Sequence, residues 1–408
     1  MWTGLLDRML GRLVSHGALD VTYPDGITRH YGNGRAPQVA VRLSDPDLPR
    51  RLVVNPDLAL GEGYMDATVQ IENDDLHGML GLLLSNINSA PDNWREKLLH
   101  MRGYFRWAAQ FNPAPRARAN VAHHYDLSGA LYDLFLDEDR QYSCAYFTQP
   151  DMTLEEAQRA KKNHIARKLL IEPGMSVLDI GCGWGGLALT LARDYGARVL
   201  GVTLSEEQHK LATQRAADAD LADRVEFRLT DYRSIKGQFD RVVSVGMFEH
   251  VGIPHYREYF RTVHDRLAPE GVALIHTIGR TSPPGTTSPW ITKYIFPGGY
   301  CPSLSEIMAA IEHETFWSTD IEVWRLHYAL TLRHWYDRFT ANIDKARALY
   351  DDRFCRMWRY YLVASEMTFR HYGQVVFQVQ LAHKQDAVPL TRDYLYPRHP
   401  LTRKLAAE

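Results

Sequence analysis

The 408-residue sequence lacks a long apolar run, a charge excess of either sign and closely spaced cysteines. No stretch reaches the roughly 18 uncharged apolar residues of a membrane-spanning helix, and Asp7, Arg8 and Arg12 interrupt the first apolar segment, so we expect no transmembrane segment and no signal peptide. A net charge of -2 provides no basic field for nucleic acid. Four cysteines without a C-x-x-C pair fit a reducing cytoplasm and predict no cysteine zinc site.

Two regions with different patterns follow one another along the chain. Residues 1–106 mix short helical patterns, such as Trp2 to Leu13, with strand-like pieces such as Gln38 to Leu43, which predicts a small α+β domain. Phe111 to Asn120 has two prolines, two arginines and no apolar periodicity, so we predict a linker at 107–121. A second domain is expected over 122–395.

The second region alternates apolar runs with helical patterns. It opens with Thr153 and Glu156 at the spacing of a helix capping box. This alternation predicts an α/β domain with a doubly wound, mostly parallel, seven-stranded sheet of the Rossmann-like type. The predicted strands are 176–180, 198–203, 225–229, 241–245 and 272–277, with 321–328 and 374–381 as later additions.

A glycine loop follows the first of these strands. Gly181, Gly183 and Gly186 satisfy G-x-G-x-x-G, which suits a ligand at a helix N-terminus, although such glycines can also serve close packing alone. A dinucleotide site needs an acidic residue about 20 positions later, and the second strand ends at Gly201 to Ser205 without one. Asp179, just before the loop, instead suits the amino-acid end and sulfonium of S-adenosylmethionine.

Further motifs make this pattern specific to one family. The chain resembles the cyclopropane-fatty-acyl-phospholipid synthases and, more distantly, the mycolic acid methyltransferases. Leu60 to Asp66 is similar to the extra N-terminal domain of the phospholipid-acting members. The motifs that carry the resemblance are His124–Asp126, Gln141–Phe147, Met152–Gln158, Val177–Gly186, Gly201–Ser205, Val245–Gly252, His276–Gly279 and Lys293–Gly299.

The resemblance implies a reaction and a set of site residues. Members transfer a methylene group from S-adenosylmethionine to a cis double bond of an unsaturated phospholipid, with bound bicarbonate as the base, and dimers occur among them. The residues expected to hold bicarbonate are Cys144, Glu249, His276, the backbone of Ile278, and Tyr328, the last in the sixth strand. Those expected at the cofactor are Tyr142, Ser143, Asp179, Gly181, Cys182, Gly183, Trp184, Gly185, Thr203, Leu204, Gln208, Asp231 and Tyr232.

An enzyme that acts on bilayer lipids must contact the membrane surface. Asn93 to Trp107 mixes Trp, Tyr, Leu and basic residues as interfacial helices do, and the first helix, with Trp2, Arg8 and Arg12, is a second candidate. Both patterns also fit amphipathic helices that cover their own domain's core. We expect a cytoplasmic protein peripherally associated with the inner face of the membrane, and a homodimer.

Three other functions compete with this interpretation. A related methyltransferase would give methyl-branched or methylene-bearing chains from the same cofactor site. A non-catalytic lipid-binding protein would keep the fold without the reaction. A metal enzyme using Glu249, His250 and His255 is the remotest, since the spacing is not H-E-x-x-H. Many relatives also carry a cysteine where this chain has Ser365, so a nucleophilic thiol there is not expected.

Overall fold

The computed structural model describes residues 1–89 and 128–396. The predicted linker at 107–121, the interfacial segment Asn93 to Trp107 and the His124–Asp126 motif lie outside the described residues. The domain boundaries therefore stay predictions. The first region holds helices α1 (Trp2–Leu13), α2 (Leu48–Val54), α3 (Pro56–Met65) and α4 (Leu76–Ser89), and strands β1 (Ala18–Thr22), β2 (Thr28–Gly32), β3 (Gln38–Leu43) and β4 (Val69–Ile71).

The first region is an α+β unit, as predicted. Its four-stranded sheet has the order β2-β1-β3-β4, with β1 antiparallel to β2 and parallel to β3. The helix predicted from Trp2 and the strand predicted at Gln38 are both present. α1 contacts α2, and Leu6 on α1 and Leu48 on α2 are both buried in the core of this unit.

The second region contains a seven-stranded sheet with the order β10-β11-β9-β8-β5-β6-β7. β5 to β9 are parallel, whereas β11 runs antiparallel to both β9 and β10. The doubly wound fold class is confirmed. The strands are β5 (Ser176–Ile180), β6 (Arg198–Thr203), β7 (Val225–Leu229), β8 (Phe239–Val245), β9 (Leu267–Arg280), β10 (Trp317–Trp324) and β11 (Gln374–Ala382).

Helices alternate with the strands of this sheet along the chain, and the last of them contacts the first region. The predicted capping box is present, since Thr153 donates its backbone N–H to Glu156 Oε2 over 2.9 Å at the start of one helix. The helices are α5 (Gly129–Tyr132), α6 (Leu154–Lys168), α7 (Gly186–Tyr195), α8 (Glu206–Asp218), α9 (Tyr256–Arg266), α10 (Pro289–Tyr294), α11 (Leu304–Glu312), α12 (His327–Ala341), α13 (Ile343–Leu349) and α14 (Asp352–His371).

One predicted element is wrong. Tyr328 was expected in the sixth strand, but that strand ends at Trp324 and Tyr328 lies in the first turn of α12. Tyr328, Leu332, Trp335 and Phe339 are all buried, at spacings of three and four. This helical periodicity outweighs the short β-like pattern that precedes it.

The two regions pack against each other through α14, α3 and α4. Glu62 on α3 accepts hydrogen bonds from Lys293 Nζ at 2.6 Å and from the Tyr294 hydroxyl at 2.9 Å. His77 Nε2 lies 3.1 Å from Oε2 of the buried Glu366 on α14. These contacts hold the small unit against the sheet domain. No helix within the described ranges is long and apolar enough to span a bilayer.

Candidate active site

The glycine loop forms the turn from β5 into α7. Gly181 has φ +80°, and a Cβ there would lie 2.8 Å from the side chain of Met247. Gly185, the N-cap of α7, has φ +83°, and a Cβ there would lie 2.6 Å from the ring of Phe227. Both positions combine left-handed backbone with crowding, so only glycine fits without strain. The turn leaves the loop backbone facing a cavity.

This loop cavity has a volume of about 160 Å³. Every residue predicted at the cofactor lines it except Gly185. The residues that line the cavity come from the segment before α6, the end of β5 and the loop itself, the ends of β6 and β7, and the turn after β8. Convergence at the carboxyl ends of parallel strands is where doubly wound sheets bind ligands.

Asp179 is the buried acid of the loop cavity. Its side chain is 2% exposed, and its Oδ2 has no hydrogen-bond partner among the described residues. Burial raises the pKa of this carboxyl to about 7, and the nearby Lys161 ammonium offsets part of that rise. An unsatisfied buried carboxylate oxygen calls for a cationic or donor group. The ammonium and sulfonium of S-adenosylmethionine meet that requirement.

The ribose and adenine candidates are held by local hydrogen bonds. Thr203 Oγ1 donates to Gln208 Oε1 over 2.8 Å, at the end of β6 and the start of α8. Asp231 accepts from the Arg233 side chain at both carboxylate oxygens, at 2.9 and 2.7 Å. Tyr232 lies beside it on the cavity wall. Any adenine contact to Asp231 would therefore share its carboxylate with Arg233.

A second, large cavity of about 1650 Å³ adjoins the first. All five residues expected to hold bicarbonate line it: Cys144, Glu249, His276, Ile278 and Tyr328. Tyr142, Ser143, Gly246 and His250 line both cavities and form the wall between them. The large cavity reaches into the first region, where apolar side chains of α1 and α4 line it. Its walls suit a long apolar ligand.

Glu249 lies in a short 3-10 helix that follows β8. Its Oε1 accepts the backbone N–H of Ile278 on β9 over 2.5 Å, while Oε2 is buried and lacks a partner in the described part of the chain. Burial raises the pKa of this carboxyl to about 7, although the Ile278 N–H acts in the opposite direction. Glu249 therefore titrates near neutral pH.

His276 on β9 is paired in register with Gln378 on β11. Gln378 Nε2 donates to His276 Nδ1 over 3.0 Å, and the imidazole meets the Trp324 ring edge-on with centroids 5.1 Å apart. Burial, with help from the Lys161 and Lys168 charges, holds the pKa of His276 well below its usual range. The ring is neutral, and the amide contact leaves its proton on Nε2.

Cys144 and Tyr328 complete the predicted set. Burial raises the pKa of the Cys144 thiol far above its usual value, so the sulfur is a protonated, weak donor rather than a nucleophile. The centroid of the Tyr328 ring lies 5.0 Å from that of Phe369 and 5.8 Å from that of Trp335. Ser365, where no nucleophilic thiol was expected, also lines the large cavity.

Three residues of the site were missed from the sequence. Lys161 lies one helical turn beyond the Met152–Gln158 motif and lines the loop cavity. Gln378 contacts His276, and only the strand alternation of β11 could have indicated it. Tyr361 bonds to Tyr142 through their hydroxyls at 2.9 Å, across 219 positions of sequence that no local pattern connects.

The metal alternative concerns Glu249, His250 and His255. His255 Nδ1 lies 2.9 Å from Oε2 of the exposed Glu258. Burial lowers the pKa of His250 to about 4, and its ring packs near Phe296 with centroids 5.9 Å apart. Within residues 1–89 and 128–396, no group of three or more His, Cys, Asp or Glu side chains is arranged to hold a metal ion.

Comparison with known proteins agrees with this geometry. A family model described as mycolic acid cyclopropane synthetase matches residues 113–379, and one for a domain of unknown function matches 5–92. The chain is 42% identical to the cyclopropane-fatty-acyl-phospholipid synthase of Escherichia coli K12, over 85% of this chain and 88% of that protein. It is 37% identical to the tuberculostearic acid methyltransferase UfaA1 of Mycobacterium tuberculosis, over 90% of this chain and 88% of that protein.

Solved structures show the same relationship. The mycolic acid cyclopropane synthase CmaA1 complexed with S-adenosylhomocysteine has a TM-score of 0.63 and 34% identity, covering 67% of this chain and 99% of that one. The cyclopropane synthase MmaA2 of Mycobacterium tuberculosis also has a TM-score of 0.63, with 33% identity and the same coverage. The family resemblance and the methyltransferase fold are thereby confirmed.

Proposed function

Since the chain belongs to the mycolic acid cyclopropane synthetase family, we propose that it forms cyclopropane rings in unsaturated phospholipid acyl chains, with S-adenosylmethionine as the carbon donor. One carbon is added to the cis double bond, a proton leaves that carbon, the ring closes, and S-adenosylhomocysteine is released. The observation that carries the proposal is the shared wall between a polar loop cavity and a large, mainly apolar cavity. Methyl transfer requires the cofactor methyl group and the alkene to come into contact, and the junction of these two cavities is a place where a polar cofactor and an apolar chain can do so.

S-adenosylmethionine, when bound, supplies an electrophilic methyl group. Asp179 provides the anionic side of its site, and the glycine loop lets the backbone approach it. An alkene that accepts this carbon becomes cationic, so water must be kept away. Tyr142, Tyr361 and Tyr328 present aromatic rings to the large cavity, and such faces stabilise a cation without attacking it.

The bicarbonate expected from the resemblance is consistent with the residues around Glu249. Its unpartnered Oε2 suits a ligand with a hydroxyl donor, and the Nε2–H of His276 suits an anionic oxygen. The Ile278 N–H, however, is already bonded to Glu249. We propose that Glu249, His276, Cys144 and Tyr328 hold the anion, and that Ile278 acts by orienting Glu249.

A second product class shares the same cofactor site. The 37% identity to a tuberculostearic acid methyltransferase favours a methyl-branched or methylene-bearing chain as the alternative. Both reactions begin with the same carbon transfer to the double bond. A methylene-bearing chain then differs from a cyclopropane in where the proton is lost, whereas a saturated methyl-branched chain also requires a hydride from a separate reductant. The presence of both Glu249 and His276 at the acceptor cavity favours ring closure.

Product analysis tests the proposal directly. Vesicles of a cis-monounsaturated phospholipid are incubated with the protein and methyl-labelled S-adenosylmethionine, and the lipids are analysed by mass spectrometry and proton NMR. A gain of one CH2 with upfield ring protons is the expected result, and the matched control Asp179→Asn gives far less. A gain without ring signals indicates the branching reaction. Cofactor binding with no gain indicates the non-catalytic alternative.

We propose that α1 contributes peripheral membrane contact. Arg8 and Arg12 are exposed and line the rim of the large cavity, and Trp2 at the start of the helix is 38% exposed. Reversing both arginine charges to Glu is expected to reduce activity on anionic vesicles by at least about thirtyfold, since two basic residues near such a surface contribute about 2 kcal/mol together. The matched control reverses the exposed Arg198 and Arg257 of the sheet domain. Equal losses in both pairs would contradict a specific role for α1.

Three related features complete the proposal. We propose a cytoplasmic protein that works at the inner membrane face and forms a homodimer, as in the family. Vesicle sedimentation and analytical ultracentrifugation test these two features. The segment Asn93 to Trp107 remains a predicted second contact with the bilayer.

A further inference from the structure

Lys161 is a buried lysine on α6, at the edge of the loop cavity. It is 1% exposed, and its Nζ donates to Gln141 Oε1 and to Ser143 Oγ, each over 2.8 Å. Both acceptors are neutral. An ammonium group carries three N–H donors, so these two bonds leave one unassigned.

The same helix buries two further lysines, and the comparison is informative. Lys162 pairs with Asp139 at 2.5 Å, and Lys168 pairs with Asp320 at 2.9 Å and Glu322 at 2.6 Å. Lys161 alone of the three forms no ion pair with any acid in the described ranges. A buried charge without a counter-ion is costly, so an anionic ligand would be favoured there.

The charge of Lys161 persists at neutral pH despite its burial. Desolvation lowers its pKa to about 8, and the Asp137 carboxylate offsets part of that effect. The same cavity contains Asp179, whose Oδ2 is also unpartnered among the described residues. The loop cavity therefore presents one anionic and one cationic group, the arrangement that a zwitterionic amino acid requires.

We propose that Lys161 binds the carboxylate of the methionine end of S-adenosylmethionine, with Asp179 serving the ammonium group of the same ligand. The inference rests on the proposed function, because it presumes that cofactor. Lys161 lines the loop cavity and not the large cavity, which favours the cofactor carboxylate over bicarbonate as its partner. Ser143, which accepts a hydrogen bond from Lys161, lines both cavities.

Two ligands, one with the amino-acid carboxylate and one without it, distinguish carboxylate binding by Lys161 from a purely structural role of this lysine. Dissociation constants are measured by calorimetry for S-adenosylhomocysteine and for 5′-methylthioadenosine, which lacks the amino-acid end. Lys161→Met is expected to weaken S-adenosylhomocysteine binding about tenfold to one hundredfold, the range for a hydrogen bond to a charged group. Binding of 5′-methylthioadenosine should change less than about twofold. Lys161→Arg retains the charge and should restore part of the loss.

Lys162→Met is the matched control, one position away and outside the cavity lining. It should leave both dissociation constants unchanged. Equal weakening of both ligands by Lys161→Met, or no weakening of either, would overturn the assignment. A raised bicarbonate requirement with unchanged S-adenosylhomocysteine binding would also overturn it, in favour of the other cavity. Failure of the wild-type protein to bind either ligand would refute the proposed function itself, whatever the lysine variants do.

Discussion

Glu249→Gln should make the protein more stable at neutral pH while abolishing ring formation. The carboxyl is 8% exposed, and its Oε1 accepts the Ile278 N–H. An amide oxygen can accept the same hydrogen bond, and the volume is nearly unchanged. The main difference is that the amide cannot ionise, so the substitution removes the cost of a buried negative charge.

The magnitude follows from the raised pKa of Glu249, about 7 against an ordinary 4.5. Below pH 4.5 both the folded and unfolded states hold the proton, and ionisation has no effect on stability. Between pH 4.5 and 7 the unfolded state ionises first, and each pH unit destabilises the folded state by about 1.4 kcal/mol. Above pH 7 the total is constant at about 3 kcal/mol.

Melting temperatures of the wild type and Glu249→Gln, measured from pH 4.5 to 8.5, test this reasoning. The difference should be near zero at the acid end, grow through pH 7, and level off at about 6 °C, since 1 kcal/mol shifts the midpoint of a domain this large by about 2 °C. Glu172→Gln, at an exposed glutamate, is the control and should show no such growth. A difference that does not depend on pH, or a variant that is less stable at pH 8, would refute the argument.

Two further predictions concern the loop and the contact between the regions. Gly181→Ala adds a Cβ 2.8 Å from Met247 at φ +80°, so S-adenosylhomocysteine affinity measured by calorimetry should fall at least about tenfold. Glu366→Gln removes the buried partner of Arg370 and His77 and should lower the unfolding free energy by about 2 kcal/mol at pH 7. Burial alone would raise the pKa of Glu366, but the hydrogen bonds from His77 and Arg370 outweigh burial and lower it, so that loss should shrink as pH falls below 4.5. Denaturant titrations at pH 7 and below pH 4.5 check it.

Local patterns predicted the sheet and most of what surrounds the loop. β5, β6 and β7 begin and end at the predicted residues, because buried parallel strands are short apolar runs bounded by polar turns. The convergence of Asp179 and Glu249 on adjoining cavities follows from the rule that parallel strands end at one edge of the sheet. The site residues themselves came from the family motifs, and their roles stay predictions.

Long-range contacts could not be predicted in this way. The short pattern from Ile321 to Tyr328 is compatible with a strand or a helix, so the sequence alone places Tyr328 in a strand. Only the buried face of α12 decides between the two elements. Side chains of α1 line the large cavity together with side chains of the second region. This depends on how the two regions pack, which the sequence pattern of neither region predicts. The direct partners of Lys161, Gln141 and Ser143, likewise depend on which side chains from distant segments surround α6.

Each of the two cavities is lined by one buried carboxyl group with an unsatisfied oxygen, which suits cofactor binding in one cavity and proton transfer in the other. Asp179 Oδ2 lies on the cofactor side and Glu249 Oε2 on the acceptor side, and neither has a partner in the part of the chain that the structure describes. Burial raises both pKa values to about 7, so each group can carry or release a proton near neutral pH. A cation beside Asp179 would favour its ionised form, whereas an anion beside Glu249 would favour its protonated form. In the proposed function, the same folding cost would prepare one carboxyl to bind a charged donor and the other to take part in the movement of a proton.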